Sequence, residues 1–237
     1  MAPPKSYASN VYMKDFTPAQ KQHMRVMQAI ARNVINTPMV LKGGTALLLC
    51  YGLDRFSEDL DFDCEKRINL ETRIKVAVTN LAFVQDIKVA KAGDNVTRYK
   101  VIFSGPTEFG LKIETSHREK ANPADITVID GIKVYKLEIL AHMKLQALQN
   151  RTTSRDLYDV AFIAQKYPSA FKDTIIPLED LTRDTDSLLA RFAPAFESDP
   201  LLAHVDVATL ILELQECVQK IKSPREDETG GDNEMVL

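Results

Sequence analysis

Residues 43–62, GGTALLLCYGLDRFSEDLDF, constrain the fold of this chain more than any other stretch. The preceding run MVLKG at residues 39–43 is short, apolar and ends in glycine, which predicts a strand that enters a tight turn. The apolar residues 45–51 predict a helix that ends at Gly52. Residues 58–64 alternate acidic and apolar side chains, which predicts a second strand with a period of two. A strand, a glycine turn, a helix and an acidic strand are therefore expected in direct succession.

The rest of the chain separates into a mixed first part and a helical second part. Thr17 and Gln20 form a candidate capping box around Pro18, which predicts a helix from there to about residue 36. The other elements expected in the first part are a helix at 70–83, strands at 86–91, 98–104 and 109–116, and a hairpin at 126–135. After Lys136 an apolar stripe with helical spacing begins, and further helices are predicted at 154–166, 178–192 and 206–222.

These patterns predict an α+β fold, in which a sheet with flanking helices is followed by a C-terminal helical bundle. The expected boundaries are an α/β domain at 1–135, a helical domain at 136–222 and a tail at 223–237. The tail carries five acidic residues and one arginine, together with two glycines and a proline, and this composition is typical of disorder.

Composition excludes several broad classes of protein. The net charge of −3 argues against a protein that binds nucleic acid through bulk charge, so any anionic ligand must be held by a local patch. The longest apolar run, Ala46 to Tyr51, is far too short to span a membrane, and the N-terminus lacks the apolar core of a signal peptide. We therefore expect a cytoplasmic protein with no membrane partner. The three cysteines are expected to be free thiols, two of them buried.

The paired aspartates Asp59 and Asp61 are the first candidate for chemistry. Side chains two apart on a strand lie on the same face, about 6–7 Å from each other, so the two carboxylates repel unless a positive charge lies between them. Oxygen ligands of this kind favour Mg²⁺ or Mn²⁺. The competing interpretation is a solvated strand end whose acids have no function.

The glycine turn is the second candidate. Gly43 and Gly44 allow the backbone to approach a ligand closely, the helix that follows offers unpaired N–H groups, and Thr45 adds a hydroxyl. A Gly-Gly pair alone is more often a plain turn. Beside two metal-binding carboxylates, however, such a turn suits a metal-bound polyphosphate.

A third carboxylate is expected from the strand at 109–116. Lys112, Glu114 and Ser116 share one face of that strand, so Glu114 can stand beside the paired aspartates on a neighbouring strand. There it would complete a metal site or accept a proton from an attacking hydroxyl. The alternative is an ordinary exposed strand face.

Taken together, these residues resemble the polymerase-β nucleotidyltransferase superfamily and, within it, the AbiEii/AbiGii-type toxin family. The first family motif is matched by Gly43, Gly44, Thr45, Ala46, Leu47, Gly52, Arg55, Ser57, Asp59, Leu60, Asp61 and Phe62. Lys112 and Glu114 resemble the second motif, and the later motifs are matched by Lys144, Arg151, Arg155, Asp156 and Asp159. The resemblance covers roughly residues 38–165.

The resemblance implies a polymerase-β-like fold and a Mg²⁺-dependent nucleotidyltransferase that uses an NTP, with the 3′ end of tRNA as one acceptor known in the family. It also implies a toxin with a cognate antitoxin, in a type IV toxin–antitoxin or phage-defence setting. Asp59, Asp61 and Glu114 are then the expected metal ligands. The residues expected to bind the nucleotide are Gly43, Gly44, Thr45, Arg55, Ser57, Lys112 and Lys144, and the expected catalytic set is Asp59, Asp61, Glu114, Lys144 and Asp156.

Several of these assignments have alternatives. Lys144 is the one charged residue on an otherwise apolar helix stripe, so it either reaches a triphosphate or extends along the helix edge into solvent. Asp156 could orient Lys144 or Arg55, or it could cap a helix. Arg55 and Ser57 could bind phosphate or hold the end of the acidic strand.

Three other functions compete with the nucleotidyltransferase. A non-catalytic nucleotide- or partner-binding member of the fold would be expected to lack a carboxylate, but all three are present. An antibiotic nucleotidyltransferase would share the same motif and differ in its acceptor. Another enzyme with paired aspartates, a phosphatase or a glycosyltransferase, would leave the glycine turn unexplained.

Overall fold

A computed structural model describes residues 16–104, 108–118 and 120–223 of the chain. It divides into two compact units, with the division between Leu140 and Ala141. Almost all of the predicted acidic tail, residues 224–237, lies outside the described residues.

The first unit is built on a mixed sheet that has seven strands among the described residues. The strands are β1 Val40–Lys42, β2 Leu60–Asp63, β3 Phe83–Ala92, β4 Val96–Ser104, β5 Phe109–Ser116, β6 Ile126–Ile129 and β7 Ile132–Tyr135. Their order in the sheet is β3-β4-β5-β2-β1-β7-β6. The pairs β1–β7 and β2–β5 are parallel and the others are antiparallel. The predicted α+β architecture is confirmed.

Three helices accompany this sheet: α1 Pro18–Asn33, α2 Gly43–Tyr51 and α3 Glu71–Val78. The predicted capping box is present, because Thr17 and Gln20 exchange their side-chain and backbone hydrogen bonds. Helix α2 ends as predicted at Gly52, which has a left-handed φ of 72°.

Two predicted helix boundaries in this unit are wrong. Helix α1 ends at Asn33 rather than near residue 36, because a turn closed by the Thr37 N–H bond to the Val34 carbonyl follows it. Helix α3 ends at Val78 rather than 83, because Phe83 already pairs with Ser104 as the first residue of β3. Pairing in the sheet outweighs local helical periodicity there.

One face of the sheet is buried and contributes to the apolar core of the unit. On β2, Leu60 and Phe62 are fully buried, and on β5 Leu111, Ile113 and Thr115 are buried while Lys112 and Glu114 are half-buried. Helices α1, α2 and α3 all contact strands of the sheet. The predicted alternation of both strands is therefore confirmed, and the polar side chains project from the opposite face.

The second unit is helical, as the sequence predicts. Its helices are the greater part of α4 Leu137–Asn150, then α5 Ser154–Lys166, α6 Ile175–Thr182, α7 Thr185–Glu197 and α8 Val207–Lys222. The single helix expected at 178–192 is wrong, because Asp184 accepts a hydrogen bond from the Ser187 N–H and so caps a new helix. The core of this unit includes Leu148, Leu157, Phe171, Phe192, Phe196, Ile211 and Leu214.

The state of the cysteines agrees with a further expectation. All three cysteines are free, and Cys50 and Cys64 are buried. Burial raises the pKa of Cys50 to about 12, so its thiol stays protonated near neutral pH. Among the described residues, every helix is too short or too polar to cross a lipid bilayer.

Candidate active site

The register of the sheet aligns five charged residues in one row across five strands. Lys91 on β3 pairs with Arg98 on β4, Arg98 with Glu114 on β5, Glu114 with Asp61 on β2, and Asp61 with Lys42 on β1. Directly paired residues project from the same face of a sheet. The row therefore holds two neighbouring carboxylates flanked by cations, and we call it the charged row.

Of the two carboxylates in the charged row, Asp61 is the one that is not paired with a cation in the described residues. Its side chain is half-buried and has no ion pair or hydrogen bond with the residues that the structure describes. Burial raises the pKa of Asp61, the negative charge of Asp59 raises it further, and Lys112 and Lys42 offset the increase only in part. Asp61 is thus a half-buried carboxylate whose charged form is disfavoured by burial and by the neighbouring Asp59.

Asp59 and Glu114, by contrast, are each paired with a cation. The Lys112 ammonium lies 2.5 Å from Asp59 Oδ2. Arg98 donates from Nε and Nη2 to Glu114 Oε2, at 2.8 Å and 2.5 Å. Lys112, expected to bind a nucleotide, stands beside the aspartates, and Arg98 is a basic residue of the site that was not expected.

The glycine turn packs directly against Asp61. Gly43 has a φ of +76°, which disfavours any residue with a side chain, and a Cβ there would lie 3.3 Å from Asp61 Oδ2. A Cβ at Gly44 would collide with the guanidinium of Arg55, only 2.8 Å away. Both glycines are therefore required by close approach, and the first turn of α2 begins beside the carboxylate.

The loop before β2 is locked onto α2 by buried polar contacts. The hydroxyl of Thr45, which is buried, donates to the carbonyl of Asp59 and lies 2.8 Å from Ser57 Oγ. Arg55 is buried too, and its Nη1 donates to the carbonyl of Phe56 at 3.1 Å. Thr45 and Ser57 thus hold the end of the acidic strand, which is one of the two roles the sequence allows for Ser57.

The donor set suits a hard divalent cation. Asp59 and Asp61 offer only oxygen ligands, and burial, followed by the charge of Asp59, raises the pKa of Asp61. In the part of the chain that the structure describes, no three acidic, histidine or cysteine side chains converge on one point, since Lys112 and Arg98 draw Asp59 and Glu114 aside. A cation bound by the two aspartates would take the place of the Lys112 ammonium at Asp59.

Comparison with known proteins identifies the family. The family model described as "Nucleotidyl transferase AbiEii toxin, Type IV TA system" matches residues 25–226. The chain belongs to this AbiEii family. Among functionally curated proteins, none matches the chain.

Solved structures include relatives of this AbiEii-family protein. The crystal structure of JHP933 from Helicobacter pylori is 39% identical, covers 87% of this chain and 93% of its own, and superposes with a TM-score of 0.83. The nucleotidyltransferase toxin MenT4 from Mycobacterium tuberculosis H37Rv is 17% identical, covers 89% of this chain and 87% of its own, and has a TM-score of 0.56. The second similarity shows a shared fold.

The later AbiEii-family motif forms a buried ion cluster in the helical unit. Lys144 on α4 lies 3.0 Å from Asp156 Oδ1 and 2.6 Å from Asp159 Oδ2, both on α5, and all three side chains are buried. Asp156 also accepts hydrogen bonds from Arg151 and Thr153. Lys144 therefore does not extend into solvent, and Asp156 orients it, as one of the alternatives predicts. The assignment of Lys144 and Asp156 to nucleotide and catalysis stays a prediction.

Four residues near the carboxylates were not expected from the sequence. Arg98 lies in the predicted strand RYKVIFS, but only the register with Glu114 reveals its partner. The other three are Lys42, Asp63 and Tyr135, and the first two adjoin the recognised motifs directly. The alternation of the acidic strand could have placed Asp63 on the same face as Asp61.

Proposed function

We propose that this AbiEii-family protein transfers a nucleoside monophosphate from an NTP to an acceptor hydroxyl and releases pyrophosphate. The observation that carries the proposal is the position of Asp61. It is the register partner of Glu114, it follows Asp59 by two residues, and its Oδ2 would lie 3.3 Å from a Cβ placed on Gly43 in the glycine turn. A single ligand could bind all of these groups, with its cation at the carboxylates and its phosphates at the glycine turn.

The proposed cofactor is Mg²⁺, or Mn²⁺ in its place, held by Asp59 and Asp61, with Glu114 as the third ligand expected from the family resemblance. The bound ion would neutralise charge on the reacting phosphate. Asp61 has no ion pair or hydrogen bond with the described residues, and this supports the assignment.

The protein groups proposed to hold the triphosphate are the start of α2 and two nearby cations. The backbone N–H groups of Gly43 and Gly44 begin an uncapped helix, which favours bound anions. Lys112 and Arg55 supply positive charge nearby. Thr45 and Ser57 act through the loop, because their hydroxyl groups fix the backbone of Asp59.

In the proposed reaction an acceptor oxygen attacks the α-phosphorus, and the bond from that phosphorus to the bridging oxygen of pyrophosphate breaks. The proton of the acceptor hydroxyl passes to Glu114, whose Oε2 is already oriented by Arg98. Orientation and charge neutralisation supply most of the rate enhancement, as is general for transfer of phosphoryl groups.

The proposed acceptor is an RNA hydroxyl, with the 3′ end of tRNA as the first candidate. Beside the charged row, Lys112, Lys100 and Lys88 form a second row of register partners on the same face. With Lys91 and Arg98 they make a cationic surface on β3, β4 and β5, although the net charge of the chain is −3. A local surface of this kind suits a phosphate backbone.

The proposed setting of the protein is a type IV toxin–antitoxin or phage-defence system, with an antitoxin as partner.

The experiment that tests this proposal uses purified protein, Mg²⁺, each of the four α-labelled NTPs, and total cellular RNA. We expect labelled RNA with one or a few of the nucleotides, and the label should be lost on ribonuclease treatment but survive protease. Label that survives ribonuclease and is lost on protease would make a protein the acceptor. A folded protein that transfers no label to RNA, protein or small molecules would refute the proposal.

A further inference from the structure

The acidic strand carries a third aspartate that the proposed reaction does not use. Asp63 follows Asp61 by two residues on β2, so its carboxylate lies on the same face of the sheet. It is buried, with its residue only 8% exposed. Lys42 Nζ donates to Asp63 Oδ1 at 2.5 Å, and the Tyr135 hydroxyl donates to Oδ2 at 3.0 Å. Both carboxylate oxygens are thus engaged.

This arrangement engages both oxygens of Asp63, whereas Lys112 contacts one oxygen of Asp59 and Arg98 contacts one oxygen of Glu114. A third unpaired carboxylate two residues from Asp61 would add to the repulsion between the neighbouring carboxylates of Asp61 and Glu114. Instead, a cation and a phenol neutralise and orient Asp63. A buried ion pair is a weak source of stability, but it fixes its members in one geometry. The group whose geometry is fixed here is the Lys42 ammonium.

The position of Lys42 allows its ammonium to contact a ligand in addition to Asp63. It is the register partner of Asp61 and immediately precedes Gly43, where it forms the N-cap residue of α2. Its side chain is 28% exposed, although it is bonded to a buried carboxylate. An ammonium has three N–H donors, and among the described residues Asp63 takes one of those of Lys42. Two donors therefore remain for another group.

We infer that Lys42 binds a phosphate oxygen of the nucleotide, and that Asp63 and Tyr135 are the positioning residues that hold its ammonium in place. This inference rests on the proposed function. The chemistry is a charge-assisted hydrogen bond from an ammonium to a phosphate beside the glycine turn. It also explains why a lysine, a buried aspartate and a buried tyrosine hydroxyl converge next to Asp61.

The test compares Lys42→Met with Lys133→Met in the full chain. Methionine keeps the length of the side chain and removes the charge. Lys133 is a matched control, because it is a half-buried lysine on the adjacent strand β7 whose Nζ donates to the Thr37 carbonyl at 2.5 Å. We expect Lys42→Met to raise the KM for NTP roughly tenfold or more, and Lys133→Met to leave it within about twofold.

A second variant separates ligand binding from damage to the fold. Lys42→Met leaves the buried carboxylate of Asp63 without its cation, which alone could disturb the site. The double variant Lys42→Met/Asp63→Asn removes that stranded charge. If Lys42 binds phosphate, the double variant recovers its melting temperature but keeps the raised KM. Recovery of both quantities would overturn the inference and leave Lys42 a purely structural residue.

Two readouts distinguish this inference from the proposed function. Binding of a fluorescent, non-hydrolysable NTP is measured together with turnover for the wild type and both variants. A wild type that neither binds nor transfers nucleotide refutes the proposed function itself. If the wild type binds and transfers nucleotide, and the double variant binds it with the same affinity as the wild type, only the role of Lys42 is refuted. Tyr135→Phe, which loosens Asp63, should raise KM by less than Lys42→Met and leave kcat nearly unchanged.

Discussion

Asp61 on β2 and Glu114 on β5 are register partners in a parallel pair of strands, so their carboxyl groups project side by side from one face of the sheet. Asp59, two residues before Asp61, supplies the third acid. Burial and the charges of Asp59 and Glu114 raise the pKa of Asp61, and Lys112 and Lys42 offset this increase only in part. Substitutions of these acids should therefore change nucleotide transfer more than they change the stability of the fold.

The first prediction concerns Asp61 itself. Asp61→Asn should lower nucleotide transfer by at least roughly 10²-fold, a loss typical of removing one charged group from a preorganised site. The melting temperature should stay the same or rise, because the substitution relieves repulsion with Asp59. Asp94→Asn is the control, since Asp94 is a fully exposed acid paired with Arg67. Normal turnover in Asp61→Asn would exclude the metal-site assignment.

Glu114 tests the proton transfer. Glu114→Gln keeps the shape of the side chain and should reduce kcat by about 10²-fold, with a smaller effect on NTP binding. Steady-state kinetics over a range of NTP concentrations separates the two effects. The control is Glu108→Gln, an exposed acid just before the same strand. An unchanged kcat in Glu114→Gln would show that Glu114 does not accept the proton and only pairs with Arg98.

Gly43 and Gly131 form a matched pair of glycines with nearly equal backbone angles, φ of +76° and +78°. Alanine at either position should cost roughly 1–2 kcal/mol of unfolding free energy, measured by urea denaturation. Only Gly43→Ala should also lower transfer, by roughly tenfold or more, because its Cβ would press on Asp61 Oδ2 at 3.3 Å. At Gly131 the nearest atom is Arg32 Cγ at 3.7 Å. Equal activity of the two variants would argue against close packing of the turn on the site.

The helical unit gives a prediction about pH. Burial raises the pKa of Asp156, but the charge of Lys144 and the bonds from Arg151, Thr153 and Lys144 outweigh burial and lower that pKa from 3.8 to about 2. Because the folded-state pKa lies below the unfolded value, this carboxylate stabilises the fold above about pH 4, and the contribution is lost as the pH falls through 2. The difference corresponds to about 2 kcal/mol.

Urea denaturation followed at several pH values from 6 down to about 2 measures this contribution. Asp156→Asn should unfold more easily at neutral pH and lose less stability on acidification than the wild type. Lys144→Ala should cost roughly 3–5 kcal/mol, because it removes the one ammonium that Asp156 and Asp159, both buried, share. If the free energy of unfolding falls equally with pH in the wild type and in Asp156→Asn, the ion cluster does not stabilise the fold in this way.

The sequence predicts most of this fold, because local patterns determine most of its elements. The capping box at Thr17, the alternation on β5 and the hairpin at residues 126–135 each depend on neighbours in the chain, and each is confirmed. The helix boundaries at residues 78 and 183 were not predictable in this way. Strand pairing decides the first and a capping aspartate the second.

The charged groups around the site were harder to predict than the motif residues. Asp59, Asp61 and Glu114 were selected because strand alternation places them on one face. Their cations depend on register between strands that are distant in sequence, as for Arg98 with Glu114. The burial of Lys144 likewise depends on how α4 and α5 pack, which helical periodicity alone does not specify.

Growth of a host that expresses the protein tests the toxin assignment. Expression of the wild type without an antitoxin should slow growth, and the Asp59→Asn/Asp61→Asn variant, produced at the same level, should not. A growth curve and an immunoblot of both strains are sufficient. Unimpaired growth with the wild type at high expression would contradict a toxic activity on a shared cellular RNA.

Asp59 and Asp61 are proposed to support metal-dependent transfer of a nucleotide. The most direct measurement follows the label from an α-labelled NTP into RNA, with the wild type and the Asp59→Asn/Asp61→Asn variant side by side, each with Mg²⁺ and with excess chelator. We expect transfer by the wild type with Mg²⁺ only, and background label in the other three reactions. Equal transfer by the double variant, or by the wild type in chelator, would contradict this proposal.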